Sequence, residues 1–157
     1  MKIRLRTLWR VPAYCLIASW VSYYATVYLG RFFFVVQSAG ADGVTNVSAD
    51  PVRSTVFHAV LFLIVLLLGG LWAFRSMTRA EIAVSAAVIT SIYLAVILAQ
   101  LYVPEFPLLL SITLARFQNW TAFVSSLLMR LTDQLNFSVL IACLAPLLFI
   151  SFGRKAA

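Results

Sequence analysis

The stretch STVFHAVLFLIVLLLGGLWAF (54–74), followed after a seven-residue link by IAVSAAVITSIYLAVILAQLYVP (82–104), decides the fold of this chain. Neither stretch contains a charged residue, and they are 21 and 23 residues long. A helix rises about 1.5 Å per residue, so roughly 20 residues cross a hydrocarbon core about 30 Å thick. Because only the link 75–81 joins them, the two stretches predict antiparallel transmembrane helices.

Two further uncharged runs, 11–30 and 134–153, each have 20 residues. The chain is 63% hydrophobic, whereas a soluble domain is nearer half apolar. We therefore predict an all-α polytopic membrane protein, a four-transmembrane-helix bundle that forms a single membrane-embedded domain over 1–157. The predicted spans are about 11–33, 54–74, 82–103 and 134–152.

Positive charge is concentrated on one predicted side of the membrane. Eight of the 12 cations lie before the first span, in the 75–81 link or after the last span: Lys2, Arg4, Arg6, Arg10, Arg75, Arg79, Arg154 and Lys155. By the positive-inside rule, both termini are predicted to be cytoplasmic in a plasma or inner membrane, with the first span an uncleaved signal anchor. The net charge of +7 then reflects orientation and contact with the lipid bilayer, and we expect no nucleic-acid partner.

The segment 105–133 is apolar but interrupted by charge. Its charge-free runs, 106–115 and 117–129, are too short to span comfortably and are typical of interfacial or re-entrant segments. We predict a short helical segment on the outer face, lying against the headgroups and the tops of the spans. A fifth span is the alternative, but it would carry Arg116 near the membrane centre and move the basic C-terminus outside.

Local signals support these boundaries. Thr78 followed three residues later by Glu81 is a capping-box pattern just before the third span. Pro146 predicts a kink in the fourth span. Tyr102 and Trp120 fall near the outer boundary, where amphipathic rings are favoured.

Two stripes of small residues, spaced four apart, each share one helix face. They are Ala18, Ser22, Thr26 and Gly30 in the first span, and Ala83, Ala87, Ser91, Ala95 and Ala99 in the third. Small side chains let helices approach closely in lipid. We favour packing of the two stripes within the monomer, and the alternative is that one stripe docks another subunit.

Ionisable side chains in or beside spans are costly, so each raises a functional hypothesis. A possible polar cluster on the outer face consists of Arg31, His58, Glu105, Arg116, Arg130 and Asp133. Together these residues would bind an anion or relay protons. The favoured alternative is that they reach toward water individually, with one local ion pair between Arg130 and Asp133. With one histidine and no thiol near this face, the sequence predicts no metal site and no cofactor.

The chain shows no catalytic motif of the soluble type, and no catalytic residue is assigned. We favour a non-enzymatic accessory or assembly component that binds a partner membrane subunit. The alternative is a small homo-oligomeric transporter of solutes or ions, in which the outer polar residues line a water-filled path. The third hypothesis is an outer-leaflet enzyme, which requires His58 to lie within hydrogen-bond distance of Asp133 or Glu105.

Overall fold

A computed structural model describes residues 7–39, 45–103 and 105–154, and these are mostly helical. In chain order the helices and strands are α1 (Arg10–Phe33), β1 (Val35–Ala39), β2 (Thr45–Ala49), α2 (Pro51–Leu68), α3 (Arg79–Tyr102), α4 (Leu108–Arg116), α5 (Ala122–Thr132) and α6 (Leu135–Ala142). A π-helical turn, Gly69–Ala73, extends α2. Two 3-10 segments, Asn119–Thr121 and Ala145–Phe152, precede α5 and follow α6.

Three helical segments are long and apolar enough to cross a membrane. They are Pro51–Ala73, Arg79–Tyr102 and Leu135–Phe152, and they match three of the predicted spans to within three residues at each end. Helix α1 has 24 residues, as many as α3, but it is more polar and is not among the three. The first of the four spans therefore stays a prediction.

A two-stranded sheet follows α1. The fold is therefore not purely helical, whereas the sequence predicted an all-α fold. Strands β1 and β2 are antiparallel, with Val35 opposite Ala49 and Ala39 opposite Thr45. The apolar run that begins at Phe32 suggested a longer first span. The helix instead ends at Phe33, and the β-branched pair Val35 and Val36 continues in the extended conformation that such side chains favour.

One end of the bundle, which we call the basic end, holds the starts of α1 and α3 and the last described residues. The predicted capping box is confirmed there: Thr78 Oγ1 accepts from the Glu81 amide at 3.3 Å, and Glu81 Oε2 accepts from the Thr78 amide at 3.0 Å. Arg79 Nε donates to the Gly153 carbonyl at 3.1 Å. The Arg154 amide donates to the Met77 carbonyl at 3.1 Å, so the last described residue is held against the start of α3.

The core near the basic end is aromatic. Tyr14, Phe74 and Phe149 meet edge to face, with ring centroids 5.0 to 5.8 Å apart. A Cβ on Gly69 would lie 2.6 Å from the Phe149 ring, so glycine lets the π-helical turn approach the last segment closely. That segment changes from α to 3-10 geometry after Ala142, beside Pro146, where the kink was predicted.

Helices α4 and α5 form a helical hairpin that enters the bundle from the strand end, the end opposite the basic end. Its turn, 117–121, reaches mid-depth: Ser19 Oγ lies 2.6 Å from the Phe117 carbonyl oxygen, and Gln118 Nε2 donates to the Tyr93 carbonyl at 3.3 Å. Ser19 and Tyr93 lie in the middle thirds of α1 and α3. The segment 105–133 thus does not lie across the tops of the helices, because its turn contacts the middle thirds of α1 and α3.

Trp120 is a core residue, contrary to its predicted place at the outer boundary. It is 1% exposed. Its ring stacks on Phe62 at 5.6 Å and 7° and on Phe149 at 5.6 Å and 28°. Phe62 lies in the middle third of the α2 span, so the stack fixes the depth of the helical hairpin.

Candidate functional site

The six outer polar residues do not converge on one site. His58 Nδ1 lies 2.7 Å from the Ser54 carbonyl oxygen of its own helix, and its ring packs 6.1 Å from that of Phe34. The Arg31 guanidinium lies 4.6 Å from the centroid of the neighbouring Phe32 ring. Both groups therefore find their partners locally.

Glu105 and Asp133 occupy left-handed backbone positions, with φ of 59° and 54°, where the chain reverses. Arg130 Nη2 donates to the Pro51 carbonyl at 2.6 Å, which ties α5 to the start of α2. Arg130 and Asp133 line the same groove of about 390 Å³. The predicted ion pair between them does not form in the described part of the chain, since Arg130 turns toward α2.

Asp50 begins α2 and is the best-defined electrostatic feature at the strand end. Its Oδ1 accepts from the Val52 and Arg53 amides at 2.8 and 3.0 Å, and its Oδ2 lies 3.6 Å from Arg53 Nε. These amides, that of Arg53 first, hold the pKa of Asp50 below its usual value. The arrangement is an N-cap, and its role is structural.

Arg116 differs from the other five residues because it lies at mid-depth. It ends α4 beside the 117–121 turn, and its guanidinium lies 4.8 Å from the centroid of the Tyr23 ring. Its side chain is exposed on the outside of the bundle. Among the described residues, no hydrogen-bond acceptor or carboxylate meets this guanidinium.

Further aromatic side chains of α1 contact the neighbours of Arg116: Trp20 contacts Phe117, and Tyr24 contacts Tyr23. Trp20 is 50% exposed and Tyr24 is 44% exposed, and their rings meet at 5.9 Å. Trp20 also lies 6.5 Å from Phe117 in the hairpin turn. We call the surface formed by Trp20, Tyr24 and Arg116 the Arg116 face.

A cavity of about 280 Å³ lies between α3 and the helical hairpin, and α6 closes one side. Its polar lining residues are Gln100, Gln118, Asn119, Thr121 and Ser125. None of the lining side chains is ionisable. The Nδ2 of Asn119, one of the lining residues, is buried without a hydrogen-bond partner.

Other buried polar atoms lie around the middle of the bundle without hydrogen-bond partners: Ser22 Oγ, Thr90 Oγ1, Tyr93 Oη and Trp120 Nε1. The Tyr93 hydroxyl lies beside the side chains of Ser19 and Trp120. An unmet buried polar group costs about 1–3 kcal/mol. The sequence predicts Ser22 in a packing stripe and Trp120 at the outer boundary, but it does not predict this polar centre.

The two small-residue stripes have opposite positions. In α1, Ala18, Ser22 and Gly30 are buried and Thr26 is half-buried. In α3, Ala87, Ser91 and Ala95 are exposed, and Ala83 and Ala99 are half-buried. Helix α3 turns a different face inward, with Ile82, Ser85, Ala86, Ile89 and Tyr93. Three of the five residues of the second stripe therefore face away from the described helices, and both packing within the monomer and docking of another subunit stay predictions.

Within the described ranges, no group of three or more His, Cys, Asp or Glu side chains could hold a metal ion. Cys15 and Cys143 are both buried and unbridged. That the protein needs no metal or cofactor stays a prediction.

Comparison with known proteins finds no match. No family model, no curated protein and no solved structure matches this chain.

Proposed function

We propose that this protein is a non-enzymatic accessory or assembly subunit of a membrane complex, with four spans and both termini cytoplasmic. The observation that supports this role is the uncovered small-residue face of α3. Ala87, Ser91 and Ala95 are exposed along one line of the helix, although α3 has a second face that packs inward.

The α3 face has the shape that a neighbouring helix needs. The exposed side chains of Ala87, Ser91 and Ala95 are small, and the exposed Val88 and Leu94 to either side of them on the helix are larger; we call this surface the α3 groove. In lipid, burial of apolar surface gives no drive for helix association, so close backbone approach and van der Waals contact decide it. A floor of alanine and serine permits that approach, whereas leucine would fill the groove.

The test is native mass spectrometry of the tagged protein, extracted in mild detergent from its own host. We expect a reproducible complex with a different membrane protein, and we expect Ala87→Leu with Ser91→Leu to abolish it. Ala13→Leu is the matched control, because Ala13 is an exposed alanine of α1 outside the groove. A complex that survives both groove substitutions contradicts the role of α3, and a closed homo-oligomer without another protein contradicts the accessory function.

A second candidate, a small homo-oligomeric transporter, is favoured by the neutral polar cavity beside the helical hairpin. Interrupted helices with polar groups at mid-depth are typical of transport sites. This candidate becomes the better one if native mass spectrometry shows only a homo-oligomer, and flux across liposomes then tests it. The outer-leaflet enzyme is not proposed, since His58 meets Ser54 rather than Asp133 or Glu105.

A further inference from the structure

We infer that the Arg116 face binds a transmembrane helix of a different protein, and that this helix carries a carboxylate near the middle of the membrane. The inference rests on the proposed role as a subunit of a membrane complex, and it names the chemistry of the partner. It concerns a different surface from the α3 groove.

The Arg116 guanidinium lies near the middle of α1 along the helix axis. The Tyr23 ring beneath its guanidinium belongs to a residue about 20 Å along α1 from Arg10 and about 15 Å before Phe33, at 1.5 Å per residue. The guanidinium is held 4.8 Å from the Tyr23 centroid, so the side chain does not extend toward either end of the bundle. A cation at this depth is costly, and such residues usually face a protein partner or a water-filled cavity.

The contact with Tyr23 meets only part of this cost. A cation over an aromatic face is attracted to the ring but keeps its charge. The guanidinium has five N–H donors, and among the described residues none of them meets an acceptor. A carboxylate fits the guanidinium with two parallel hydrogen bonds and cancels its charge.

A second copy of this chain cannot supply that carboxylate. The acidic residues are Asp42, Asp50, Glu81, Glu105 and Asp133. Asp50, Glu81, Glu105 and Asp133 each lie in a connection or at the end of a helix, so none of these four reaches the depth of Arg116 in a parallel or antiparallel copy. Asp42 lies outside the described residues, and in the sequence it stands between β1 and β2. The partner is therefore a different protein with an aspartate or glutamate inside a span.

The aromatic neighbours of Arg116 complete the surface. Tryptophan, tyrosine and arginine are the residues that most often dominate protein interfaces. Trp20 and Tyr24 add two exposed rings that contact Phe117 and Tyr23, and each ring also carries a polar donor that hydrocarbon would leave unmet. A helix packed on Trp20 and Tyr24 would bring its own carboxylate to the guanidinium.

The test uses a labelled transmembrane peptide of about 20 leucines with one central aspartate, and a second peptide with leucine at that position. Each is reconstituted with the labelled full-length protein in phosphatidylcholine vesicles, and association is followed by energy transfer. We expect the aspartate peptide to bind at least about tenfold more tightly than the leucine peptide. Arg116→Gln should remove this preference, and Arg116→Lys should keep most of it.

Arg31→Gln is the matched control, because Arg31 is an exposed arginine near the end of α1, and it should leave the preference unchanged. A third peptide with the aspartate two turns from its centre should lose the preference with the wild-type protein, which needs no variant to fold. Equal binding of the aspartate and leucine peptides, or a preference that persists in Arg116→Gln, overturns the inference. If the native complex forms but the peptide preference is absent, the accessory role stands and this inference fails. If the peptide preference is present but no native complex forms, this inference stands and the accessory role fails.

Discussion

At the scale of single residues, Ser19 joins α1 to the helical hairpin. Its Oγ lies 2.6 Å from the Phe117 carbonyl oxygen and 2.8 Å from the Cys15 carbonyl oxygen. Ser19→Ala would remove the one hydroxyl donor that the Phe117 and Cys15 carbonyls share, so we expect a loss of about 1–3 kcal/mol in the free energy of unfolding. Equilibrium unfolding in detergent measures it.

The matched control for Ser19 is Ser151→Ala. The Ser151 hydroxyl is exposed and donates to the Leu148 carbonyl of its own segment at 2.7 Å. A substitution at such a surface position changes stability by about 0.5 kcal/mol or less. Equal losses for the two variants would mean that Ser19 does not anchor the turn.

Single residues also show where sequence reasoning stops. The capping box of Thr78 and Glu81 could be predicted because its partners are three residues apart. The positions of His58, Glu105 and Asp133 in the chain say nothing of which neighbours they meet. His58 meets Ser54 of its own helix, whereas Glu105 and Asp133 lie where the chain reverses. Ser19 gave no signal, because its acceptor, Phe117, lies 98 residues away.

At the scale of elements, the stack of Trp120 between Phe62 and Phe149 holds the helical hairpin at its depth. Trp120→Ala would leave a cavity between these rings, and we expect a loss of about 3–5 kcal/mol. Trp120→Phe keeps one ring and should lose clearly less. Thermal unfolding in detergent compares them with Trp72→Ala, whose side chain is 84% exposed. A loss for Trp120→Ala no larger than that of this control would contradict the docking of the hairpin.

The elements differ in how far the sequence determines them. The segments Pro51–Ala73, Arg79–Tyr102 and Leu135–Phe152 follow from long uncharged runs. The predicted depth of the hairpin was wrong because the charge of Arg116 suggested a position near water. Arg116 instead lies at mid-depth, on the exposed side of α4 and against the Tyr23 ring. The strands were missed because Val35 and Val36 continue an apolar run that begins inside α1.

At the scale of the whole molecule, the proposed arrangement of four spans, with a helical hairpin that enters and leaves on one side, predicts an even number of crossings. Reporters fused after residue 76 and at the C-terminus should both read cytoplasmic, and a reporter fused after residue 103 should read external. The first span is tested by a fusion after residue 36, which should also read external. An external C-terminus would contradict the four-span arrangement.

The 117–121 turn also constrains the order in which the protein is made. The Phe117 carbonyl meets Ser19, and the Gln118 side chain meets Tyr93, only after α1 and α3 are in place. Backbone polar groups without hydrogen-bond partners are not tolerated in hydrocarbon. Both helices precede the turn in the chain. Synthesis from the N-terminus therefore produces α1 and α3 before the 117–121 turn that binds to them. The order of the helices in the chain is thus also a workable order of membrane insertion. In a circular permutant that begins at α4, the 117–121 turn would be made before the helices α1 and α3 that it binds.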